Sequence, residues 1–488
     1  MTTDALPRTR PSAVGIDAAR IAALVDALES TAGVEPHSLM VLRHGQVAAE
    51  GWWAPYSADR QHLLYSISKS FTSTAVGFAI AEGLFSLDDT VVSHFPELDA
   101  EITDEKSRRI RVRHLLAMAS GHREETVARA YSIDPVDLVR GFLLMPPDEE
   151  PGTLFCYNQP CTFTLGAIVQ RLSGQSLTDY LRPRLFDPLG IGEVGWQTDA
   201  SGRQLGYSGF YAPTVALAKL AQLYLQRGVW EGEQILPASW VDDATVSHID
   251  NSNHGDKDWG QGYGFQFWMA RHGYRGDGAY GQFAVVLPEH DVVIAITGQT
   301  PDMQAVLDAV WQNLLPAFDG SMPSAEADDA LAERLAGLAL PVASVPTTRV
   351  SGTFTPGAGN RLATLTSVAY LPGGLGLPGG HGLPGAHGLP GGHGSPGDTG
   401  KGSDTVELVD RGETLRATVG VGSWALSEAV AVAASDGPNG TVRLDVIFVE
   451  TPHRLIVTLD PVSATFAAEW QTEPLDEAPL VRRRMPRA

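Results

Sequence analysis

Cysteine and lysine are scarce in this sequence, and long apolar runs are absent. Among 488 residues there are five lysines and two cysteines, Cys156 and Cys161. Two cysteines imply neither a disulfide framework nor a zinc site, and we expect two free thiols. No run approaches the roughly eighteen apolar residues of a membrane-spanning helix. The sequence therefore predicts a protein that neither spans a bilayer nor depends on disulfides.

Positive charge is scarce as well. The chain has 35 basic and 57 acidic residues, which gives a formal net charge of −22 at pH 7. Nucleic acids and anionic membrane surfaces require a cationic face, so this balance argues against both as partners. Residues 1–11 are polar and lack the apolar core of a signal peptide. We therefore expect a cytoplasmic protein.

The first two thirds of the chain combine helical and strand patterns. Apolar residues make up 43% of the sequence, which is enough for sizeable cores. Residues 283–287 and 292–297 are predicted to be two strands joined by a tight turn, and residues 39–49 another hairpin. Helices are predicted over 17–30, 66–82, 161–173, 213–227 and 302–316. This order predicts one sheet, built from both ends of the unit and covered by helices.

The composition changes after Phe318. Residues 319–347 are rich in Ala, Asp, Pro and Ser, and we predict a linker with one short helix. Short β-type runs follow at 362–370, 405–409, 414–419, 441–449 and 454–459. These patterns predict a first domain over 1–318 and a small, β-rich, barrel-like domain over 348–488.

A low-complexity insert interrupts the second domain at 373–400. Glycine recurs there at every third position, with proline and histidine between, which is the period of collagen. His381, His387 and His393 recur every six residues. A flexible, solvated loop is favoured over weak metal binding by these histidines.

One nucleophile motif occurs in the chain. A Gly-x-Ser-x-Gly elbow, a His-Glu-x-x-His zinc motif, a Walker loop and a dinucleotide fingerprint are all absent. Ser66-Ile67-Ser68-Lys69 is the single Ser-x-x-Lys pattern, and it starts a predicted apolar helix. Burial would lower the pKa of Lys69, whose neutral amine could then take the Ser66 proton. A capping serine followed by a snorkelling lysine would give the same pattern.

The segments around this motif resemble the serine β-lactamase and penicillin-binding-protein-like hydrolases, class C branch, over about residues 15–316. The matches follow in order at 65–72, 86–89, 95–97, 110–122, 151–159 and 185–191. The family's Tyr-x-Asn pattern falls on Tyr157-Asn158-Gln159, where Gln159 replaces asparagine. The resemblance implies an α+β fold with a β-lactamase/transpeptidase-like antiparallel sheet flanked by helices.

The resemblance also implies roles for individual residues. Ser66 would be the acylated nucleophile, and Lys69 its general base. Tyr157 would be a phenolate base or a proton shuttle, with a pKa lowered by the lysine ammonium. Asn158 follows it, and Gln159 could orient Lys69 or the substrate carbonyl. The chemistry requires no metal and no organic cofactor.

The third motif of the family departs from its usual form. Lys-Thr-Gly, His-x-Gly or Trp-x-Gly is expected, and Gly276-Asp277-Gly278 aligns with it, followed by Ala279. Gly278 would let the strand approach the substrate closely, and the Ala279 N–H could complete an oxyanion hole with that of Ser66. The cation that helps to hold a substrate carboxylate is missing, and Arg275 or His272 are the possible substitutes.

We therefore predict a serine hydrolase that acts on small esters or amides, like the family's carboxylesterases and 6-aminohexanoate-oligomer hydrolases. A β-lactamase or a D-amino-acid peptidase is the alternative within the family, but both benefit from carboxylate recognition. A slowly acylating penicillin-binding protein, an inactive binding protein, or an interaction arm in the C-terminal half are further alternatives. Pocket walls are predicted within 122–150 and 197–212. Trp52, Trp53, Tyr207 and Tyr211 are candidates for aromatic residues that line the pocket. Plain packing in the core is the alternative for each of them. The sequence leaves the oligomeric state open.

Overall fold

The structure is a computed structural model of the chain, and it describes residues 6–255, 257–318, 324–373 and 403–487. The chain divides into two compact units, the first comprising Met1–Leu340, Glu450–Pro452 and Arg484–Ala488, and the second Pro341–Val449 and His453–Arg483. The domain boundaries drawn from the sequence stay a prediction. Nearly all of the 373–400 insert, with its three histidines, lies outside the described residues.

The described residues form twelve α-helices. They are α1 Ala18–Ser30, α2 Ser68–Ala81, α3 Glu105–Arg109, α4 Val112–Leu116, α5 Val127–Ile133, α6 Leu138–Leu143, α7 Gln159–Ser173, α8 Leu177–Leu181, α9 Thr214–Leu225, α10 Ala238–Ala244, α11 Met303–Ala309 and α12 Ala325–Ala336. No helix in these ranges combines the length and the apolarity that crossing a bilayer requires.

The strands fall into two groups along the chain. Those of the first unit are β1 Glu35–Arg43, β2 Gln46–Trp52, β3 His62–Leu63, β4 Gly195–Trp196, β5 Phe210–Ala212, β6 Val229–Trp230, β7 Glu233–Gln234, β8 Trp268–Met269, β9 Tyr274–Gly278, β10 Gln282–Leu287 and β11 Val292–Gln299. Those of the second are β12 Gly352–Pro356, β13 Leu365–Leu371, β14 Thr405–Asp410, β15 Glu413–Thr418, β16 Gly420–Val421, β17 Ala425–Ser427, β18 Val430–Asp436, β19 Val442–Phe448, β20 Arg454–Asp460 and β21 Thr465–Trp470.

The main sheet of the first unit is antiparallel and has the order β2-β1-β11-β10-β9-β8. Every residue of β10 and β11 is buried, so both faces of the sheet centre are covered. Helix α9 packs against β1, β10 and β11, while α1 packs against β1 and α12 against β2. The prediction of one sheet built from both ends of the unit and covered by helices is confirmed.

The first hairpin shows how local sequence sets this sheet. Strands β1 and β2 are joined by His44 and Gly45, whose φ values are 53° and 72°. Two consecutive left-handed residues form the tight turn that matches the right-handed twist of paired strands. The hairpin is longer than the predicted 39–49, because pairing with β11 extends β1 back to Glu35.

Helix α2 is the central helix of the first unit, and residues 68–79 are all buried. A Cβ atom at Gly77 would lie 2.6 Å from the Trp240 indole nitrogen, so the absence of a side chain lets α10 pack closely. The predicted helix over 66–82 begins two residues later than expected, because Tyr65–Ile67 form a 3-10 turn. The predicted helix over 302–316 is α11 followed by a π-turn, Val310–Leu314, and a 3-10 turn, Leu315–Phe318.

Helix α12 lies within the predicted linker over 319–347. Its Leu331 is buried, and its Asp328 accepts hydrogen bonds from the backbone N–H and the hydroxyl of Ser12. The predicted short helix is therefore present, and it packs within the first unit.

The second unit is built on one ten-stranded, barrel-like sheet. The strand order is β15-β14-β13-β12-β21-β20-β19-β18-β16, with β17 paired to β18. Its strands alternate between buried and less buried residues, as in β14, because one face covers an apolar core. The barrel-like prediction is confirmed. Strands β12, β16, β17, β18 and β21 were not predicted.

Candidate active site

Ser66 lies on the 3-10 turn that leads directly into α2. Tyr65, the residue before it, has a φ of 47°, which is rare for an aromatic side chain. Ser66 is half-buried, whereas Tyr65 and Ile67 are buried. Strained conformations of this kind cluster at functional sites, where the surrounding structure holds them in place. The turn therefore presents the Ser66 hydroxyl at the N-terminus of a buried helix.

The two other serines of this segment hold the backbone. The Ser68 hydroxyl donates to the Tyr65 carbonyl at 2.5 Å and accepts from the Phe210 N–H at 3.1 Å. The Ser70 hydroxyl donates to the Gln266 carbonyl at 2.9 Å. Both serines are fully buried. Their hydroxyls are occupied by structural hydrogen bonds, which supports Ser66 as the reactive serine.

The Lys69 side chain points back to Ser66. Its Nζ lies 3.0 Å from the Ser66 Oγ and donates to the Tyr207 carbonyl oxygen at 2.8 Å. Lys69 is only 1% exposed. The structure thus brings the predicted nucleophile and its predicted base into hydrogen-bond contact.

Burial changes the acidity of Lys69. Its pKa falls from the usual 10.5 to about 7, chiefly because loss of water disfavours the charged amine. The carboxylates of Asp277 and Glu125 act in the opposite direction. A substantial fraction of Lys69 is therefore neutral near pH 7, as a general base must be.

Tyr157 completes the group around Ser66. Its ring centroid lies 4.8 Å from the Lys69 Nζ, and the ring stacks on Trp268 at 5.2 Å. Burial raises the pKa of Tyr157, Asp277 raises it further, and a hydrogen bond with Ser66 acts against both. The lowered pKa expected from the sequence is therefore wrong, because desolvation of the phenolate outweighs a lysine that is itself partly neutral. A neutral phenol fits the proton shuttle better than the phenolate base.

Asn158 and Gln159 begin α7 and face different partners. The Asn158 Oδ1 accepts from the N–H and the hydroxyl of Thr126 at 3.0 and 2.9 Å, so this amide fixes the adjoining loop. The Gln159 Oε1 is buried and has no partner among the described residues. Neither amide bonds to Lys69, whose second partner is the Tyr207 carbonyl. A role for Gln159 toward the substrate carbonyl stays a prediction.

The glycines of the third motif allow β9 to approach the serine turn. A Cβ atom at Gly278 would lie 2.1 Å from the Leu64 carbonyl oxygen, and one at Gly276 would lie 2.8 Å from the Ser70 Oγ. Ala279 follows, and its carbonyl accepts from Gln282 at 3.0 Å. Within the described part of the chain, its N–H donates no hydrogen bond. A free N–H suits the oxyanion-hole role, which stays a prediction.

Asp277 and Arg275 form a buried ion pair beside the site. Arg275 is fully buried, its Nη2 lies 3.0 Å from the Asp277 Oδ2, and its guanidinium stacks over Trp259 at 4.5 Å. The charge of Arg275 is therefore already compensated. His272 is exposed, and its ring contacts that of Trp311 at 5.0 Å. The structure thus argues against Arg275 as a replacement for the missing cation, and the suggestion of His272 stays a prediction.

The candidate aromatics separate into one site residue and three packing residues. The Tyr207 ring lies 5.7 Å from the Lys69 Nζ. Trp53 and Tyr211 are each 1% exposed, and Trp52 packs partly buried against the main core. Plain packing therefore describes three of these four residues.

Three site features were not singled out from the sequence. A backbone carbonyl such as that of Tyr207 leaves no mark in a side-chain pattern. Trp268 reaches Tyr157 from a segment more than a hundred residues away, and no motif links them. Glu125, whose Oε1 accepts from the Gln159 N–H at 3.2 Å, lies within the predicted 122–150 wall, so the segment was predicted but the residue was not.

The two cysteines are free and buried, as expected. Burial raises the pKa of Cys156 to about 11 and that of Cys161 to about 12. Thiols that stay protonated at neutral pH are poor nucleophiles. Neither cysteine therefore competes with Ser66 as the reactive group.

Comparisons with known proteins identify relatives of this chain. The chain is 27% identical over 313 residues to the 6-aminohexanoate-dimer hydrolase of Paenarthrobacter ureafaciens, covering 58% of this chain and 77% of that protein. It is 28% identical over 213 residues to esterase EstB of Burkholderia gladioli, covering 38% of this chain and 54% of that protein. EstCE1, a solved structure described as a hydrolase with promiscuous acyltransferase activity, has a TM-score of 0.51 at 17% identity and covers 60% of this chain and 98% of its own. The last likeness shows the fold alone.

A family model described as beta-lactamase matches residues 21–316. The match runs from within α1 to beyond α11 and includes Ser66, Lys69 and Tyr157. It covers more than half of the chain and confirms the resemblance drawn from the motifs. The chain therefore belongs to the beta-lactamase family.

Proposed function

We propose that this protein is a serine hydrolase that forms an acyl-enzyme on Ser66 and hydrolyses small esters or amides. The observation that carries the proposal is the 3.0 Å contact between the Lys69 Nζ and the Ser66 Oγ. The amine in this contact is buried, and its pKa of about 7 leaves it partly neutral. A serine hydroxyl beside a neutral amine is an activated nucleophile, because the amine can accept its proton.

Acylation follows from these positions. Lys69 accepts the Ser66 proton while the Ser66 oxygen bonds to the substrate carbonyl carbon, and the carbonyl electron pair moves to oxygen. The N–H groups of Ser66 and Ala279 would stabilise that oxyanion. When the intermediate collapses, the bond to the leaving group breaks. The leaving group takes a proton from the Tyr157 hydroxyl, which recovers one from the Lys69 ammonium.

Deacylation repeats the sequence with water. Neutral Lys69 takes a proton from water, whose oxygen attacks the acyl carbon. The Ser66 oxygen then leaves and takes the proton from the Lys69 ammonium, and the acid product departs. Tyr157 remains a neutral hydrogen-bond donor during deacylation, because its raised pKa disfavours a phenolate.

The substrate class rests on the relatives and on charge. A dimer hydrolase that cleaves an amide and an esterase are both similar to this chain. The third motif carries no cation, and the charge of Arg275 is taken by Asp277. The missing cation favours substrates without a carboxylate next to the scissile bond, and therefore esters and other amides over β-lactams and D-amino-acid peptides. A cytoplasmic location and independence from cofactors stay predictions from the sequence.

Intact mass after incubation with a fluorophosphonate tests the nucleophile, together with turnover of p-nitrophenyl butyrate. Wild type should gain one adduct and hydrolyse the ester. Ser66→Ala should lose the adduct and at least about a thousandfold of kcat/KM, because the covalent path is removed. Ser93→Ala is the matched control, since Ser93 is exposed and donates only to the Thr90 carbonyl.

Three outcomes would change the proposal. Ester turnover that survives Ser66→Ala, or the absence of an adduct on folded wild type, contradicts it. Turnover of nitrocefin that exceeds that of the ester would favour the β-lactamase. An acyl adduct that persists for hours would favour a slowly acylating binding protein.

A further inference from the structure

A carboxylate is fixed beside the proposed active site. The Glu125 Oε2 accepts from the Val127 N–H at 3.0 Å, and its Oε1 accepts from the Gln159 N–H at 3.2 Å. Both oxygens are therefore anchored to backbone, one of them at the first turn of α7. Glu125 as a whole is nevertheless exposed, while partial burial of its carboxyl group raises its pKa.

Glu125 is electrostatically coupled to the catalytic group. Its charge acts on Lys69 and raises the pKa of that amine against the effect of burial. Gln159, whose N–H donates to Glu125, supplies a second acceptor. Its side-chain Oε1 is buried and has no partner among the described residues. Two hydrogen-bond acceptors beside the serine site suit a substrate group that donates hydrogen bonds.

The cations on the serine helix and around the third motif already have partners. Arg275 pairs with Asp277 at 3.0 Å, and Arg271, which precedes β9, pairs with Asp258 and Asp308 at 2.7 Å each. Lys69 directs its amine to Ser66 and Tyr207. A substrate carboxylate would therefore meet Glu125 without a matching free cation on these segments.

We infer that this site selects its substrates by charge, and that Glu125 favours esters and amides bearing an ammonium group over those bearing a carboxylate. The inference rests on the proposed serine-hydrolase function. An exposed carboxylate attracts a cation and repels an anion over several ångströms, and salt screens both effects. Glu125 is thus a specificity-determining residue.

Three p-nitrophenyl esters of equal acyl length test the inference. Their acyl groups end in trimethylammonium, in its uncharged isostere tert-butyl, or in carboxylate. Wild type should prefer the ammonium ester over the carboxylate ester in kcat/KM by about tenfold or more at low salt. Glu125→Gln should reduce that ratio about tenfold, and Glu125→Asp, which keeps the charge, should retain most of it. High salt should shrink the wild-type ratio toward that of Glu125→Gln.

The neighbouring residue, Glu124, supplies the matched control. Glu124→Gln removes the same unit of charge from an exposed position and should leave the ratio unchanged. Equal shifts in Glu124→Gln and Glu125→Gln, or a wild-type ratio near one, would overturn the inference. If either result occurs while turnover of the tert-butyl ester still depends on Ser66, only the inference of charge selection is rejected. Turnover that persists in Ser66→Ala rejects the proposed function itself.

Discussion

Two buried cations of this protein, Lys69 in the first unit and Arg454 in the second, have different kinds of partner. In the first, Lys69 is 1% exposed and bonds to a hydroxyl and a carbonyl, and no carboxylate of the described residues lies within ion-pair distance. In the second, Arg454 is 9% exposed and lies 3.4 Å from Asp445, which Arg443 also holds. A buried charge without a counter-ion destabilises a fold, whereas a paired one is tolerated. The contrast indicates that the unpaired amine is kept for chemistry and the paired guanidinium for packing.

Of the variants that test this contrast, Lys69→Met should have the largest effect. We expect kcat/KM for p-nitrophenyl butyrate to fall about a thousandfold or more, because Ser66 loses its base. The same variant should unfold at a higher temperature than wild type, since a buried amine is replaced by an apolar chain of similar length. Reduced thermal stability together with reduced activity would instead indicate a structural lysine.

The stability gain of Lys69→Met should depend on pH. The folded-state pKa of about 7 lies below the ordinary 10.5, so between these values the unfolded wild-type chain binds more protons than the folded one. Wild-type stability therefore rises with pH across that window, and the variant lacks this increase. The gap in melting temperature should be largest at and below about pH 7 and should close toward pH 10.5.

The pH dependence of wild-type kcat/KM tests whether the unpaired amine of Lys69 acts as the base. On an uncharged ester, kcat/KM should rise about tenfold per pH unit below about 7 and level off above it, because only neutral Lys69 accepts the proton. Tyr157 should add no decline up to pH 9, since burial raises its pKa. A profile that is flat from pH 5 to 9 would contradict Lys69 as the base.

Arg454→Met gives the smallest effect and completes the comparison. Loss of its contact with Asp445 should lower stability by about 1 kcal/mol, because Arg443 still holds that carboxylate. Ester hydrolysis should stay within about twofold of wild type, because Arg454 has none of the proposed catalytic roles. Calorimetry and initial rates measure both. A large loss of activity with little loss of stability would mean that the second unit contributes to catalysis.

The fold was largely predictable because its signals are local and repeated. Apolar strands such as β10 and β11, the two-residue turn at His44 and Gly45, and the ordered series of motifs each favour the same α+β sheet. The strands that were missed include β18 and β21, which are rich in alanine. Alanine has a low β propensity, and tertiary pairing decides its conformation.

The candidate site was predictable in its side chains but not in its electrostatics. Spacing predicted that Ser66 and Lys69 lie on the same face of a helical turn, and the family resemblance supplied their roles. The direction of the pKa shift of Tyr157 depends on how completely several distant segments exclude water. The compensation of Arg275 by Asp277 likewise depends on strand geometry. Neither the exclusion of water around Tyr157 nor the pairing of Arg275 with Asp277 can be derived from a single sequence.

The serines at positions 66, 68 and 70 carry a further consequence. They are chemically identical and alternate within five residues, yet one presents a hydroxyl to the cleft and two tie the turn to β5 and to the Gln266 carbonyl. The segment must therefore keep its hydroxyls for two unrelated reasons. Loss of the Ser66 hydroxyl would remove the proposed nucleophile, whereas loss of the Ser68 or Ser70 hydroxyl would remove a backbone anchor of the turn.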